Sequence, residues 1–405
     1  MIRKIFISIA ATLLCCSILC SCDCRVKIEE KRHSFLIYFA GNNNLSSYAE
    51  SALGSVMNGY IPDKKDKENI LMVYYHNKET APTLKRYFKS NGKVYSELIA
   101  SYDSLSTNSA KIETLSKVIA QAEEAYPAST HDLALWSHAS AWMPEGYFNK
   151  PTDRSVSMRL ENIPEEDPYA HMVKSFGAEG GEEMDIKDLA KALPYHYGAI
   201  LFDCCLMSSV EVAYELKDKC DYIVAAPTEM LAEGFHYDTL LEPIFCQPVS
   251  EFGKSGLEEI CQQYFDNYDK CTGLYRSATI ALIDCRWLSG LSSVCRDIFN
   301  SHRGEIAALN RNDVQLYSRN FSGVRRDWFY DIDDFVGRIA SPQEYTRFEE
   351  MLAKCVPFKL ATDIFLEIQI EHYSGLSCYI PNPAYTNLNS YYKSLAWNKV
   401  CGLIE

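Results

Sequence analysis

The sequence predicts an α/β protein with a mostly parallel central sheet flanked by helices. Short apolar runs of strand length, at 35–40, 69–75, 132–137, 199–202 and 222–226, alternate with segments of helical period. These runs are nearly continuous in apolar residues, as strands buried on both faces are. Two of them break off into reactive polar residues, His138 and the set Asp203, Cys204 and Cys205. Ligands of open α/β sheets bind just beyond the carboxyl ends of such strands. The chain has 405 residues, 47% of them hydrophobic and 23% charged. That is ample for a large core.

At the amino terminus, Arg3 and Lys4 precede an apolar run from 5 to 19. Residues 1–21 therefore read as a secretory signal, whose apolar core is too short for a comfortable membrane span. Leu19-Cys20-Ser21-Cys22 resembles a bacterial lipobox, with Cys22 as the lipidated first residue of the mature chain. Residues 22–33 are polar and suit a short tether. The expected location is the bacterial cell envelope, periplasmic or surface-exposed, with a lipid anchor as the membrane contact.

Residues 34–270 form the expected main domain. The strand at 35–40 runs into Gly41-Asn42-Asn43-Asn44, a turn and helix-cap composition, then a helical pattern reaches Met57. The strand at 69–75 precedes a hairpin from 83–88 and 93–98. A helix at 112–125 should cover one sheet face, and the strand at 132–137 delivers His138. Residues 143–184 hold four prolines, several glycines and many charges without hydrophobic period. A loop this long in a compact domain is usually functional or disordered, and this one directly follows His138. A helix at 185–193 with Asp185 as cap leads to the strand at 199–202. A helix at 208–217, capped by Ser208 or Ser209, leads to the strand at 222–226. A smaller α+β region, 271–405, should pack on this domain. It carries a strand at 277–284, helices at 285–300, 331–339, 343–355 and 392–397, and a hairpin from 363–371 and 376–380.

A histidine and a cysteine at neighbouring strand ends can make an activated thiol nucleophile. The imidazole suits proton transfer near neutrality, and the thiolate is the reactive form of cysteine. The residues alone leave Cys204 and Cys205 both open. Of sixteen cysteines, none lies between Cys24 and Cys204. A disulfide framework would span the domain, so buried free thiols are expected.

Trp136-Ser137-His138-Ala139-Ser140-Ala141-Trp142 and Phe202-Asp203-Cys204-Cys205-Leu206-Met207 resemble the active-site strands of clostripain-family cysteine peptidases, in the broad group of caspases and gingipains. Residues 229–237 and 375–381 also resemble that family's acidic-Gly-aromatic segment and its closing G-L-S-x-Y-x-P element. The resemblance covers nearly the whole mature chain and implies a caspase-like sheet. It selects Cys205 as nucleophile, His138 as general base and acid, and the backbone N–H groups of Ala139 and Cys205 as oxyanion donors. The family usually has glycine after the histidine; Ala139 adds a methyl that would matter if a positive φ were needed. The resemblance further implies Asp203 and Glu233 as the carboxylates that bind an Arg or Lys side chain of a protein or peptide substrate. It implies a zymogen that cuts itself in the 143–184 loop, after Lys150 or Arg154.

The formal charge is −14, and loss of Arg3 and Lys4 with the leader makes it two units more negative. That argues against a nucleic-acid partner and agrees with a basic substrate. No cofactor is required by this chemistry. Calcium is a candidate ion through Glu179, Glu182, Glu183 and Asp185, although they lack alternating spacing. Two rival readings are a catalytically impaired peptidase-fold surface protein that binds peptides, motivated by Ala139 and Cys204, and a transpeptidase or ligase.

Overall fold

A computed structural model describes residues 32–148, 152–153, 179, 182–246, 254–319 and 326–405. The leader, Cys22, Lys150 and Arg154 lie outside these residues. The main sheet is built from β1 (His33–Gly41), β2 (Asn69–Asn77), β3 (Thr83–Ser90), β4 (Lys93–Ser101), β5 (Thr130–Trp136), β6 (Tyr197–Asp203), β7 (Cys220–Ala225), β8 (Thr279–Asp284) and β10 (Phe358–Ala361). Their order among the described residues is β10-β8-β7-β6-β5-β1-β2-β3-β4. The five central strands, β2-β1-β5-β6-β7, run parallel, and both edges are antiparallel. This is the mostly parallel, caspase-like sheet that the sequence predicts.

Strand β1 is buried along all nine residues, as a central parallel strand must be. Its start is tied to β5 by a buried His33–Asp132 pair of 2.6 Å, and Asp132 also accepts the Ala199 N–H of β6 at 2.5 Å. The β3–β4 hairpin turns through Asn91 and Gly92, both at positive φ (50° and 74°). An Asn-Gly pair meets that demand at little cost. One group of packed helices comprises α1 (Ser46–Asn58), α5 (Tyr237–Cys246) and α6 (Lys254–Asp269). A second comprises α2 (Ile112–Ala125), α3 (Ile186–Ala192), α4 (Val210–Leu216), α7 (Leu288–Ser301), α10 (Pro342–Cys355) and α12 (Ala396–Cys401). The sequence reading assigned neither α5 nor α6.

The carboxyl-terminal region differs from expectation in its pairing. Residues Ile364–Phe365 (β11) pair with Ile368–Gln369 (β12), a hairpin wholly inside the first of the two expected strands. Ser377–Cys378 (β13) pairs instead with Tyr330–Asp331 (β9), at the start of helix α9 (Ile332–Gly337). Alternation identifies a half-buried strand but not its partner. Strand β10, absent from the expected elements, joins the main sheet beside β8.

Helix α4 begins just after the cysteine pair. Its Ser209 cap accepts the Val212 N–H. Glu211 on its first turn is fully buried. One carboxylate oxygen accepts the Tyr379 N–H (2.9 Å) and the Tyr392 hydroxyl (2.8 Å); the other finds no partner among the described residues. Burial raises the Glu211 carboxyl from an ordinary 4.5 to about 7, against the lowering effect of these bonds. Between those two values the unfolded chain releases the proton and the folded chain keeps it. Stability therefore falls as pH rises through this window, by about 3 kcal/mol in all. Glu211→Gln should remove that dependence: measured by thermal unfolding, its Tm relative to wild type should be higher at pH 8 than at pH 5 by several degrees.

Candidate active site

Four loops leave the carboxyl edge of β1, β5, β6 and β7 and carry the candidate residues. Their levels are set by backbone register. Phe39 pairs with Trp136 across β1–β5, and Trp136 pairs with Asp203 across β5–β6. His138 and Cys205 each lie two residues past that last pair, in the loops that leave neighbouring parallel strands. Adjacent strands are about 4.8 Å apart, so the register brings the two residues to the same edge of the sheet.

The loop after β1 orients the histidine. Asn43 accepts the Leu45 N–H (2.8 Å) and donates to Ala40 O (3.2 Å), closing the turn. Ser137 Oγ donates to Ala40 O at 2.7 Å and ties the two loops together. Asn44 Oδ1 then lies 2.5 Å from His138 Nε2. A carbonyl oxygen only accepts, so Nε2 carries the proton and Nδ1 of the neutral ring is left as the base. Asn44 is the orienting group that sequence reasoning left unassigned. Its signal was there, in an asparagine run at the end of a strand whose neighbour ends in histidine.

Cys205 is 1% exposed, and its neighbour Cys204 is fully buried. The two thiols go different ways: Cys204 Sγ donates to Leu135 O of β5 at 3.0 Å, while Cys205 Sγ accepts the Met230 N–H at 3.1 Å. Leu206 follows in the left-handed region, at φ 66°. That conformation costs a leucine about 1–3 kcal/mol and persists only where its surroundings over-determine it. Here the Leu206 N–H donates to Thr228 O (2.8 Å) and the Ser208 N–H to Ala226 O (3.0 Å), stitching the turn to the chain leaving β7. Ala139 is buried and does not have a positive φ; Ala141 takes the left-handed position of this loop, at φ 55°. The methyl of Ala139 thus strains no backbone.

Asp203 is fully buried, and its Oδ2 accepts the Phe235 N–H (3.2 Å) and the Tyr237 hydroxyl (3.1 Å). Glu233 is exposed, beside Gly234 at φ 64°. Tyr264 and Tyr268 of α6 back this segment. Tyr264 packs edge-on to Phe235, and the Tyr268 hydroxyl donates to Gly234 O at 2.6 Å. Burial, then the charges of Asp203, Cys205 and Glu233, push the Tyr264 phenol far up. All three act electrostatically on this one phenol. The Tyr264 hydroxyl is buried and has no hydrogen-bond partner among the described residues.

The chain belongs to the clostripain family. The match to that family's model covers residues 37–159 and 164–358. An inactive zymogen C11 protease from Parabacteroides distasonis is 29% identical, with a TM-score of 0.74 over 91% of this chain and 97% of its own. A secreted C11 cysteine protease from Bacteroides thetaiotaomicron, solved with an irreversible peptide inhibitor, is 25% identical. Its TM-score is 0.73 over 91% of this chain and 98% of its own. No curated protein matched the chain. As a clostripain-family member the protein is a cysteine endopeptidase, and peptides are its substrate class.

The carboxylates considered for calcium turn to different partners, although the backbones of Glu179 and Glu182 are bonded to each other. Glu179 meets Asn42 (2.7 Å), His76 (3.4 Å) and the Ser109 N–H (2.6 Å), and the hydrogen bonds hold its carboxyl below the ordinary value despite burial. Glu182 meets Asn108 and Lys111, and Glu183 accepts from Ser140 Oγ. Asp185 caps α3 and accepts the Tyr391 hydroxyl. Among the described residues no group of three or more His, Cys, Asp and Glu side chains is placed to hold a metal ion. Nor, among them, is any helix long and apolar enough to cross a membrane.

The Asn44 contact gives a test. Asn44→Ala should lower kcat on the order of 10- to 100-fold, with KM little changed, because it releases the ring that moves the proton. Steady-state kinetics on one peptide substrate would measure both.

Proposed function

We propose that Cys205 is the nucleophile and His138 the general base and acid of a lipid-anchored endopeptidase that cleaves after Arg or Lys. The observation that carries this is the shared register of β5 and β6, which brings both residues to the same edge of the sheet. In the proposed cycle His138 Nδ1 takes the thiol proton and the Cys205 sulfur attacks the scissile carbonyl carbon. The oxyanion is received by the N–H groups of Ala139 and Cys205. His138 returns the proton to the leaving amine, and water, activated by the same ring, releases the acyl group and restores the thiol. No cofactor enters.

The basic preference is supported by the negative charges of Asp203 and Glu233, both of which act on the Tyr264 phenol, a buried polar group without a hydrogen-bond partner among the described residues that a guanidinium or ammonium would satisfy. The net charge of −14 agrees with a basic substrate. Self-processing is supported by the near-complete burial of Cys205, a state in which substrate lacks access, and by the relative described as an inactive zymogen. The proposed cut follows Lys150 or Arg154. Between them Asp153 is buried and accepts the Asn387 N–H (2.7 Å), the Leu388 N–H (3.0 Å) and the Tyr147 hydroxyl (2.8 Å), which gives this part of the loop a fixed hold. The lipid anchor rests on Cys22 in its lipobox context.

Intact mass of purified wild type should show two fragments whose junction follows Lys150 or Arg154, whereas Cys205→Ala should stay whole and leave an Arg-containing peptide uncut. A Cys205→Ala protein that still cleaves would overturn the assignment. Glu233→Gln should raise KM for Arg or Lys peptides roughly 10-fold, the scale of one charge-assisted contact, with a smaller effect on kcat.

A further inference from the structure

The Cys205 sulfur accepts one backbone N–H, that of Met230, at 3.1 Å, while the Met230 carbonyl oxygen is 3.8 Å away. The nearer contact is the one that favours a negative sulfur, since a hydrogen bond donated to the charged form stabilises it. The Glu229–Met230 peptide that supplies this N–H is held on every side. Its carbonyl accepts the Thr228 hydroxyl at 2.8 Å, and that hydroxyl oxygen is 2.7 Å from Thr279 Oγ1 on β8. Thr228 O, one peptide earlier, takes the Leu206 N–H.

The side chain next to this peptide is held in a different way. Glu229 forms a two-point ion pair with Arg319, Nε to one carboxylate oxygen and Nη2 to the other at 3.1 Å. Both residues are buried, 6% and 5% exposed. Taking two charges out of water is costly, and such a pair is weak evidence for stability; what it fixes is geometry. The chain leading to Arg319 is itself tied down. Tyr317, two residues earlier, donates its N–H to Phe329 O (2.8 Å) and its hydroxyl to Asp331 Oδ2 (2.5 Å), with His372 O 3.1 Å from the same hydroxyl oxygen. A carboxyl-terminal segment thus reaches 90 residues back along the chain to grip the residue beside the sulfur's hydrogen-bond donor.

We propose that the Glu229–Arg319 ion pair is a positioning device that holds the Met230 N–H against the Cys205 sulfur and so favours the thiolate. This rests on Cys205 being the nucleophile. Neither charged group touches substrate; both act through one backbone N–H. The sequence offers no hint of the pair: Glu229 opens the 229–237 segment, but nothing in the sequence ties it to Arg319.

The test is the pH dependence of alkylation of Cys205 by a small haloacetamide, read by mass spectrometry on the full chain. Arg319→Ala and Glu229→Gln should each move the midpoint up by about one pH unit, a tenfold loss of thiolate at a given lower pH. Arg319→Lys, which keeps the charge but not the two-point fork, should fall between. Removing one partner leaves a buried charge unpaired, so either single variant is at risk of misfolding. The double variant Glu229→Gln with Arg319→Met removes both charges and should fold, with the same raised midpoint. A folded double variant with the wild-type midpoint overturns the proposal, even if its activity falls. Failure of the underlying reading would look different: the rapidly labelled thiol would be one other than Cys205, or Cys205→Ala would still cleave.

Discussion

The site depends on one constraint, the parallel register of β1, β5 and β6. Each hydrogen-bonded pair fixes where the next strand ends, and Phe39, Trp136 and Asp203 form a row across all three. Because side chains alternate, a slip of one residue would turn Trp136 or Asp203 to the other face of the sheet and displace the loops that carry His138 and Cys205. The fully buried aromatic and aliphatic side chains of these strands oppose such a slip, as would loss of the His33–Asp132–Ala199 contacts at the opposite edge. The placement of both candidate residues is therefore set by core packing some residues away from either side chain.

A second layer of control comes from the carboxyl-terminal region, which grips both flanks of the nucleophile turn. On one side Ser208 Oγ donates to Gly375 O (2.6 Å), the Ser377 N–H donates to Ser208 O (2.9 Å), and Glu211 holds Tyr379 and Tyr392. On the other, Arg319 holds Glu229. Asp331 links the two: it accepts the Tyr317 hydroxyl and the Ser374 N–H and caps α9, while its own strand pairs with β13. The region that seemed from sequence a separate packed appendage supplies strand β10 to the main sheet and the supports of the active-site turn.

What was legible in the sequence follows from range. Buried parallel strands announce themselves by continuous apolar runs, and reactive residues at their ends stand out, so β1, β2, β5, β6 and β7 were readable, and with them the candidates His138, Cys204 and Cys205, between whose thiols only the family resemblance chooses. The Asn91-Gly92 hairpin was readable from turn chemistry. Asn44 was visible only as part of a turn, because its link to His138 spans 94 residues and depends on which strands are neighbours. The partner of β13 was unreadable for the same reason: alternation says that a strand has a wet side, not which strand lies beside it. Glu229 and Arg319 looked like ordinary charged residues, since burial, the property that sets them apart, exists only once the chain is folded.

The closed state of the site also has a physical reading. Cys205 is almost wholly covered, yet the turn that carries it is strained at Leu206 and bonded on both sides to the chain leaving β7. A turn so constrained has little freedom to swing its sulfur outward. Access must come from displacement of what covers it, leaving the Cys205–Leu206 geometry as it is. That division of labour is what the proposed role of Cys205 requires: its turn is locked by register and hydrogen bonds, and what covers it lies outside the locked set. Asn44, whose Oδ1 meets His138 Nε2, is by contrast an exposed residue on the short turn after β1.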